Sequence, residues 1–218
     1  MRSFIGAGFL LVLVFLGSCR DAKRYHDSGE ENIQWTSNAL EEINSFQEKL
    51  NAEFRNPESS PLPDRYRKDF IGLDFFEPDT NFRVLARLEY TPEAIPFLMP
   101  TSTDRESEER VFAIAHFSLQ GRPFALELYQ TQDLLGDPDY EDYLFLPFLD
   151  QTNGEETYSG GRYIDLSIPE GDSLIIDFNM AYNPYCVYNK KFSCPLVPKV
   201  NTLDIAVRAG VKDFKAKK

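Results

Sequence analysis

A cluster of charged and aromatic residues between residues 150 and 183 is the part of the sequence that could bind a ligand or carry chemistry. A guanidinium is always charged and holds carboxylates, or the anionic groups of a ligand, through a planar fork of donors. We therefore expect Arg162 to organise the charges of this cluster. The candidate ligand-binding residues are Asp150, Glu156, Tyr158, Arg162, Asp165, Asp177, Asn179 and Asn183.

Two interpretations of this cluster stay open. Its charges form a structural network of ion pairs and turn caps, with Asp150, Asp165 or Asp177 as the partner of Arg162, or they line a polar pocket in the mouth of a barrel. Carboxylates such as Asp150 and Asp177 would also suit acid/base hydrolysis, with their separation deciding the matter. Nearby tyrosines suit stacking on a sugar ring as well as packing in a β core.

Signatures of familiar enzyme sites are missing from the sequence. It contains no Gly-x-Ser-x-Gly elbow, no His-Glu-x-x-His, no phosphate loop and no dinucleotide glycine motif. A serine triad would have to use His116, which stands in an apolar stretch typical of a strand. We predict no cofactor and no metal, and the sequence leaves open whether the chain is an enzyme.

The cysteines are three in number: Cys19, Cys186 and Cys194. An even pair at short separation outside the cytosol favours a disulfide between Cys186 and Cys194. Closing that loop would stabilise the fold by roughly 2–3 kcal/mol. The alternatives are a zinc site, which needs about four N or S ligands, and a nucleophilic thiol beside His116.

The N-terminus has the pattern of a lipoprotein signal peptide over residues 1–18. Arg2 precedes an apolar run of about a dozen residues, and Leu16-Gly17-Ser18-Cys19 resembles the bacterial lipobox. We expect cleavage before Cys19 and acylation of its sulfur, with several chains such as palmitate anchoring the protein to a membrane. The predicted location is the cell envelope. Arg20-Asp21 lacks an acidic surface-export cluster, which favours a periplasm-facing position.

For the rest of the chain we predict a polar tether over residues 19–31 and one domain over residues 32–218. A net charge of −12 argues against nucleic acid as a partner, because affinity for phosphates comes from clustered lysine and arginine. Apolar residues from Ile33 to Phe54 recur at spacings of three, four and seven, which predicts an amphipathic helix.

Apolar residues recur with a period of two after Phe70, which is typical of half-buried strands. Gln120-Gly121 and Glu170-Gly171-Asp172 predict short turns between successive strands, and short turns imply antiparallel pairing. We therefore predict a mainly β fold: an antiparallel sheet closed into a barrel or sandwich, with the N-terminal helix packed against it. The predicted strands are 82–89, 111–119, 124–129, 144–150, 163–168 and 174–179.

Several strings in the second half of the chain resemble one bacterial family. They are Leu146-Pro147-Phe148, Thr157-Tyr158, Gly160-Gly161-Arg162-Tyr163, Asp177-Phe178-Asn179 and Cys194-Pro195-Leu196. Together with Phe70-Ile71-Gly72-Leu73 and Pro100-Thr101-Ser102, they are similar to the "domain of unknown function 1684" family in a short, lipoprotein form. The resemblance covers roughly residues 60–210. It implies a shared fold and no activity, since the family name records none.

The leading interpretation is a non-catalytic envelope module that binds a small polar ligand, a glycan fragment or a partner protein through the region from Asp150 to Asn183. The alternative is an envelope hydrolase that uses carboxylates of the same region. A deep cleft with two carboxylates about 5–10 Å apart would favour the hydrolase. A shallow aromatic surface would favour binding.

We predict that Cys19→Ala abolishes lipid labelling and releases the protein from the membrane fraction, because the thiol that receives the lipid is lost. The measurement is incorporation of a labelled fatty acid, with fractionation of the same cells. Labelling of the Cys19→Ala chain at the wild-type level would contradict the assignment.

Overall fold

The computed structural model describes residues 28–215, with side chains from residue 38 onward. The predicted signal peptide, the acylation site Cys19 and most of the tether lie outside the described residues. The predicted tether also included residues 28–31, and these are helical because α1 begins at Ser28. Within the described part of the chain, no helix is both long enough and apolar enough to cross a bilayer.

The main elements are one long helix and a seven-stranded antiparallel sheet, in the order β6-β5-β4-β3-β1-β7, with β2 paired to β3. Each of the six predicted strands is present with shifted ends, and the short β2 was not predicted. The helices are α1 Ser28–Arg55 and α2 Asp64–Arg67. The strands are β1 Arg83–Tyr90, β2 Phe97–Pro100, β3 Glu106–Leu119, β4 Arg122–Thr131, β5 Tyr143–Phe148, β6 Arg162–Ser167 and β7 Ser173–Asp177.

The sheet is curled into an open half-barrel, so the prediction of a closed barrel or sandwich is wrong in that respect. Gln120-Gly121 does form the tight turn between β3 and β4, with positive φ at both residues. The turn Glu170-Gly171-Asp172 connects β6 to β7 without pairing them, because β7 pairs with β1 at the other edge. Five residues span at most about 20 Å, which is enough to cross the open side of a curled sheet.

The inner side of the half-barrel is filled by an extended stretch of chain, residues 202–211, which we call the C-terminal segment. Its buried residues point into the core, and they alternate with exposed or half-buried ones as in a strand. Backbone bonds join it to the residues after β5: Leu203 N–H donates to Leu149 O at 2.8 Å, and Gln151 N–H donates to Ile205 O at 3.1 Å. The buried residues are Leu203, Ile205, Val207, Ala209, Gly210 and Val211.

A fully buried ion pair holds the far half of this segment. Arg162 Nη2 donates to Asp150 Oδ2 at 2.9 Å and to Val207 O at 2.8 Å. Arg162 Nη1 donates to the carbonyls of Ala209 and, at 3.4 Å, of Val211. Asp150 Oδ1 accepts the Val207 N–H at 3.1 Å. The guanidinium and the carboxylate therefore form hydrogen bonds with backbone groups of this segment, as a neighbouring strand would in a sheet.

The side chain of Asn201 fills a gap between β4 and β5, which share one residue pair, Tyr129 with Phe145. Its Oδ1 accepts the Glu127 N–H at 2.8 Å. Its Nδ2 donates to Glu127 O at 2.9 Å and to Pro147 O at 2.8 Å. The two strands can splay apart here without leaving buried backbone groups unpaired.

Helix α1 packs against the loops at the edge of the sheet. Phe54 meets the rings of Tyr188 at 4.7 Å and Phe70 at 5.7 Å. An ion pair of 2.7 Å between Glu42 and Arg83 ties the helix to the start of β1. The helix is thereby fixed beside the sheet by aromatic contacts and one charge pair. Its buried face consists of Ala39, Ile43, Leu50 and Phe54.

We predict that Arg162→Met lowers the free energy of unfolding by about 3–5 kcal/mol, because it strands the Asp150 carboxylate without its partner in the interior. Arg208→Ala is the matched control. Arg208 lies in the same part of the fold and pairs with Glu156 at 2.8 Å, but its side chain is 61% exposed. An exposed pair contributes about 1 kcal/mol or less. Urea denaturation measures both variants, and equal losses would contradict the structural role of Arg162.

Candidate functional site

The eight residues predicted for the site do not form one cluster. Five of them lie in the interior, and Asp165 lines a pocket on the opposite face of the sheet. Glu156 pairs with Arg208 of the C-terminal segment near the surface, and Tyr158 is half-buried beside Gly160. The interior residues are Asp150, Arg162, Asp177, Asn179 and Asn183. Arg162 takes Asp150 as its carboxylate partner, as one of the three alternatives held.

Asp177 belongs to a second buried network. It accepts Arg83 Nη1 at 3.0 Å and the N–H of Asn179 at 2.9 Å. The amide of Asn179 in turn exchanges two hydrogen bonds of 2.9 Å with the backbone of Asp79. Asp150 and Asp177 are therefore both paired and buried, with side chains 0% and 4% exposed. They cannot serve together as the acid and base of a hydrolase.

The remaining interior and rim residues support the end of the chain. Asn183 Nδ2 donates to Lys212 O at 2.9 Å. Glu156 accepts Arg208 Nε at 2.8 Å near the surface. The ring of Tyr158 packs so closely on Gly160 that a Cβ there would lie 2.5 Å from it. Their contacts are the structural ones that turns and chain ends require.

A pocket lined by tyrosines lies on the face of the sheet opposite the main core. Its volume is about 330 Å³, and we call it the tyrosine pocket. Its floor comes from β5 and β6, and a wall comes from the stretch 182–195 that follows β7. The aromatic lining residues are Tyr140, Tyr143, Tyr163, Tyr182, Tyr185 and Phe192.

The period of β6 explains why Asp165 lies in this pocket and not beside Arg162. Successive side chains of a strand point to opposite faces. Arg162 and Ile164 face the main core, whereas Tyr163 and Asp165 face the pocket. Residues three apart on one strand cannot share a face, so the alternative that paired Arg162 with Asp165 is wrong.

Asp165 is held by two tyrosine hydroxyls. Tyr143 donates to Oδ1 at 2.9 Å and Tyr182 donates to the same oxygen at 2.7 Å. Among residues 38–215, no side chain forms an ion pair with this carboxylate and no donor reaches its Oδ2. Asp165 is exposed to solvent at the mouth of the pocket. Desolvation by the protein around it raises the pKa of Asp165, and the two hydroxyls lower it in part.

A smaller cavity of about 190 Å³ adjoins the tyrosine pocket and shares the walls Asp165, Tyr182 and Tyr185. Helix α1 supplies its other side through Lys49 and Glu53, among others. Tyr185 donates its hydroxyl to Glu53 Oε1. The two cavities thus meet at Asp165, and Glu53 adds a second carboxylate to the smaller one.

A third carboxylate adds to the negative charge of this region. Glu109 is 1% exposed and accepts hydrogen bonds from Ser107 at 2.8 Å and Thr131 at 3.0 Å. Burial raises its pKa. Its charge acts on Tyr143 and Tyr163 of the pocket, where it raises the pKa of both phenols after the larger effect of burial. Glu109 therefore lies close enough to the pocket to affect two phenols of its lining.

The other residues considered for chemistry lie elsewhere. His116 pairs with Glu89 at 2.9 Å on an open strand surface, with no serine in its hydrogen bonds. Cys186 and Cys194 are neighbours, since the Cys186 N–H donates to Cys194 Sγ at 3.2 Å, but both are free thiols in this structure. The disulfide between them stays a prediction. No cluster of three or more His, Cys, Asp or Glu side chains suited to a metal occurs in the described residues.

Sequence reasoning missed two groups of residues. Tyr140 and Tyr143 were not singled out, although Tyr143 directly precedes Leu144, where the predicted strand 144–150 begins. Extending the period of two by one residue places Tyr143 on the face opposite the core. The C-terminal segment was also missed, although its apolar residues alternate with Asp204 and Arg208. The period-two signal was present in both places.

Comparisons with known proteins bear on the fold and not on an activity. The sequence model of the family described as "Protein of unknown function (DUF1684)" matches residues 68–212. A solved structure, the solution NMR structure of an uncharacterized protein of Haloarcula marismortui, is similar with 33% identity and a TM-score of 0.64. The alignment covers 84% of this chain and 96% of that one. Among curated proteins, none matches.

The tyrosine pocket lies within the range that the family model matches, whereas the smaller cavity lies partly outside it. Every lining residue of the tyrosine pocket lies within residues 68–212, as do Arg162, Asp150 and the backbone groups that they bind. Lys49 and Glu53 of the smaller cavity lie on α1, outside that range. The tyrosine pocket is therefore built from the shared part of the chain.

We predict that Tyr143→Phe and Tyr182→Phe each raise the pKa of Asp165 further, because each removes a hydrogen bond that favours the charged carboxylate. Tyr140→Phe is the control: it changes a tyrosine of the same pocket that makes no hydrogen bond to Asp165. The measurement is a pH titration of the Asp165 carboxyl carbon by NMR. An unchanged midpoint in both variants would contradict the described geometry.

Proposed function

Because the chain belongs to the DUF1684 family, whose description assigns no activity, we propose a function from the pocket itself: the domain binds a small organic cation in the tyrosine pocket, with Asp165 as its counter-ion. The ligand class is an amine or a quaternary ammonium compound. The role is binding, without catalysis.

The observation that carries this proposal is the unpaired carboxylate among aromatic rings. Asp165 stands at the exposed mouth of the pocket, with one oxygen held by two tyrosines and the other open. Among the described residues, no cationic side chain forms an ion pair with it, so it is accessible to a cation from solvent. A cation that enters the pocket supplies the missing partner and also contacts the negative faces of the rings.

The arrangement of the rings fits the same ligand. Tyr163 and Tyr182 stand at 89° with centroids 5.9 Å apart, and Tyr140 and Tyr143 stand at 86° with centroids 5.7 Å apart. Rings at right angles form the sides of a box, which suits a compact cation approached from several directions. A flat sugar-stacking platform would need rings that share one plane.

The size and charge of the site limit the ligand further. A volume of about 330 Å³ is at the lower end of the range for ligand pockets. The ligand is therefore small. A protein with a net charge of −12 attracts cations over its surface, which favours their encounter with the pocket.

The runner-up, an envelope hydrolase, finds less support. Its reaction needs two carboxylates that face one substrate. Among the described residues, Asp165 is the one carboxylate that lines the tyrosine pocket. Glu53 and Asp165 both line the smaller cavity, but its volume of about 190 Å³ is below the usual range for ligand pockets. One oxygen of Glu53 also accepts the hydroxyl of Tyr185 already.

The proposed setting is the cell envelope. A lipid on Cys19 and a short polar tether would hold the domain beside a membrane, facing the periplasm. Support comes from the lipobox-like ending of the predicted signal peptide. A module in that position meets small cations as they cross the envelope.

We predict that Asp165→Asn weakens binding of choline by at least about tenfold, which corresponds to 1.4 kcal/mol, because it removes the counter-ion while keeping an oxygen for the two tyrosines. Glu156→Gln is the control, since it removes a carboxylate outside the tyrosine pocket. Isothermal titration calorimetry on the full-length chain measures both. Equal affinities for choline in wild type and Asp165→Asn would overturn the proposal, as would N-acetylglucosamine binding where choline does not.

The same residue links binding to pH and to stability. As pH falls through the raised pKa of Asp165, the carboxylate is protonated and affinity for a permanently charged ammonium falls with it. Because the pKa of Asp165 is raised on folding, the folded state binds more protons than the unfolded state at pH values between the two pKa values. The stability contributed by this group therefore falls as pH rises from the unfolded-state pKa through the folded-state pKa. Asp165→Asn removes this loss, and its melting temperature at neutral pH is expected to equal or exceed that of wild type.

A further inference from the structure

Cys194 lines the tyrosine pocket, and Cys186 is its neighbour. The Cys186 N–H donates to Cys194 Sγ at 3.2 Å, and neither sulfur is in a disulfide in this structure. A zinc ion would need about four ligands, and the described residues offer no cluster of three. The chemistry open to the pair is that of a dithiol.

The two thiols differ in access and in surroundings. Cys186 is half-buried, whereas Cys194 is buried. The Cys194 thiol, the Ser102 hydroxyl and two backbone N–H groups surround the sulfur of Cys186, and these hydrogen bonds lower its pKa to about 6. The Cys186 thiolate in turn raises the pKa of Cys194. The accessible sulfur is therefore the nucleophile, since the thiolate is the reactive form.

Hydrogen bonds fix Cys194 and the residue before it to the stretch of chain between β2 and β3. Its N–H donates to Ser102 Oγ at 3.0 Å, and its carbonyl accepts the Ser102 N–H at 2.8 Å. The preceding Ser193 accepts two hydrogen bonds of 3.1 Å from Arg105. The buried thiol is thus held in place next to the accessible one.

The loop between the two cysteines carries positive charge in an acidic protein. Lys190 and Lys191 are both exposed on it. Positive side chains near a reactive sulfur attract anionic reagents. This charge favours an anionic disulfide over a neutral one.

We propose that Cys186 and Cys194 form a thiol–disulfide exchange site for anionic low-molecular-weight disulfides, with Cys186 as the attacking thiolate and Cys194 as the resolving thiol. The Cys186 thiolate attacks one sulfur of the small disulfide, a mixed disulfide forms and one small thiolate leaves. The Cys194 thiol gives its proton to that thiolate and attacks Cys186 Sγ. The internal disulfide forms and the second small thiolate leaves, so that the protein loses two electrons and the small disulfide gains them.

The first test uses the reduced wild-type full-length chain, so that no variant has to fold. Iodoacetamide is applied over a range of pH, and peptide mapping follows Cys19, Cys186 and Cys194 separately. We expect Cys186 to be alkylated first, with a half-maximal rate near pH 6, the pKa that its hydrogen bonds set. An ordinary thiol profile for Cys186, with its midpoint above pH 8, would overturn the assignment of the nucleophile.

The second test follows exchange with glutathione disulfide by mass spectrometry. Wild type should form the internal disulfide, Cys194→Ser should stop at the mixed disulfide on Cys186, and Cys186→Ser should react at least about tenfold more slowly than Cys194→Ser. The internal disulfide should also be reduced in the folded protein by dithiothreitol. Equal rates for the two variants, or a disulfide that resists reduction until the chain unfolds, would show a purely structural pair. Choline binding is measured separately, and its outcome does not depend on these results.

Discussion

The buried pair of Arg162 and Asp150 is the interaction on which the rest of the fold depends. The inner side of an open half-barrel is an apolar surface that must be covered, and the chain covers it with its own C-terminal segment. In the second half of that segment, the guanidinium and the carboxylate bind the backbone of Val207, Ala209 and Val211. These bonds add to the two backbone hydrogen bonds that Gly210 and Val211 make there. Removing water from both charges is unfavourable, and the several hydrogen bonds they make with the backbone offset that loss.

Filling the inner side decides where a ligand can bind. Small β-barrels and half-barrels often hold ligands in their interior, but here Leu203, Ile205 and Val207 occupy that space. The proposed binding site is on the opposite face, where the stretch 182–195 and the sheet enclose a pocket. Side chains of β6 alternate between the two faces of the sheet. Arg162 therefore binds the C-terminal segment on the inner face, and Asp165 places a carboxylate on the opposite face.

Local patterns sufficed to predict six of the seven strands, the β3–β4 turn and the helix, because each depends on residues close together in sequence. Three features could not be found in this way. Whether β6 pairs with β7 depends on how far the sheet curls, which a short connecting turn does not reveal. Which of the three carboxylates meets Arg162 depends on contacts across the molecule, although strand period alone excludes Asp165. The tyrosine pocket combines residues from 134 to 195, and no single window of sequence contains it.

The sequence separation between Arg162 and its backbone partners also determines the order in which they are synthesised. Its carbonyl partners lie 45 to 49 positions further on, so every strand emerges from the ribosome before the residues that cover them. Until residue 207 appears, the curled sheet exposes its apolar lining to chaperones and proteases. A nascent chain interrupted just before that point would have all seven strands but an incomplete core. Quality-control factors would encounter its exposed apolar surface.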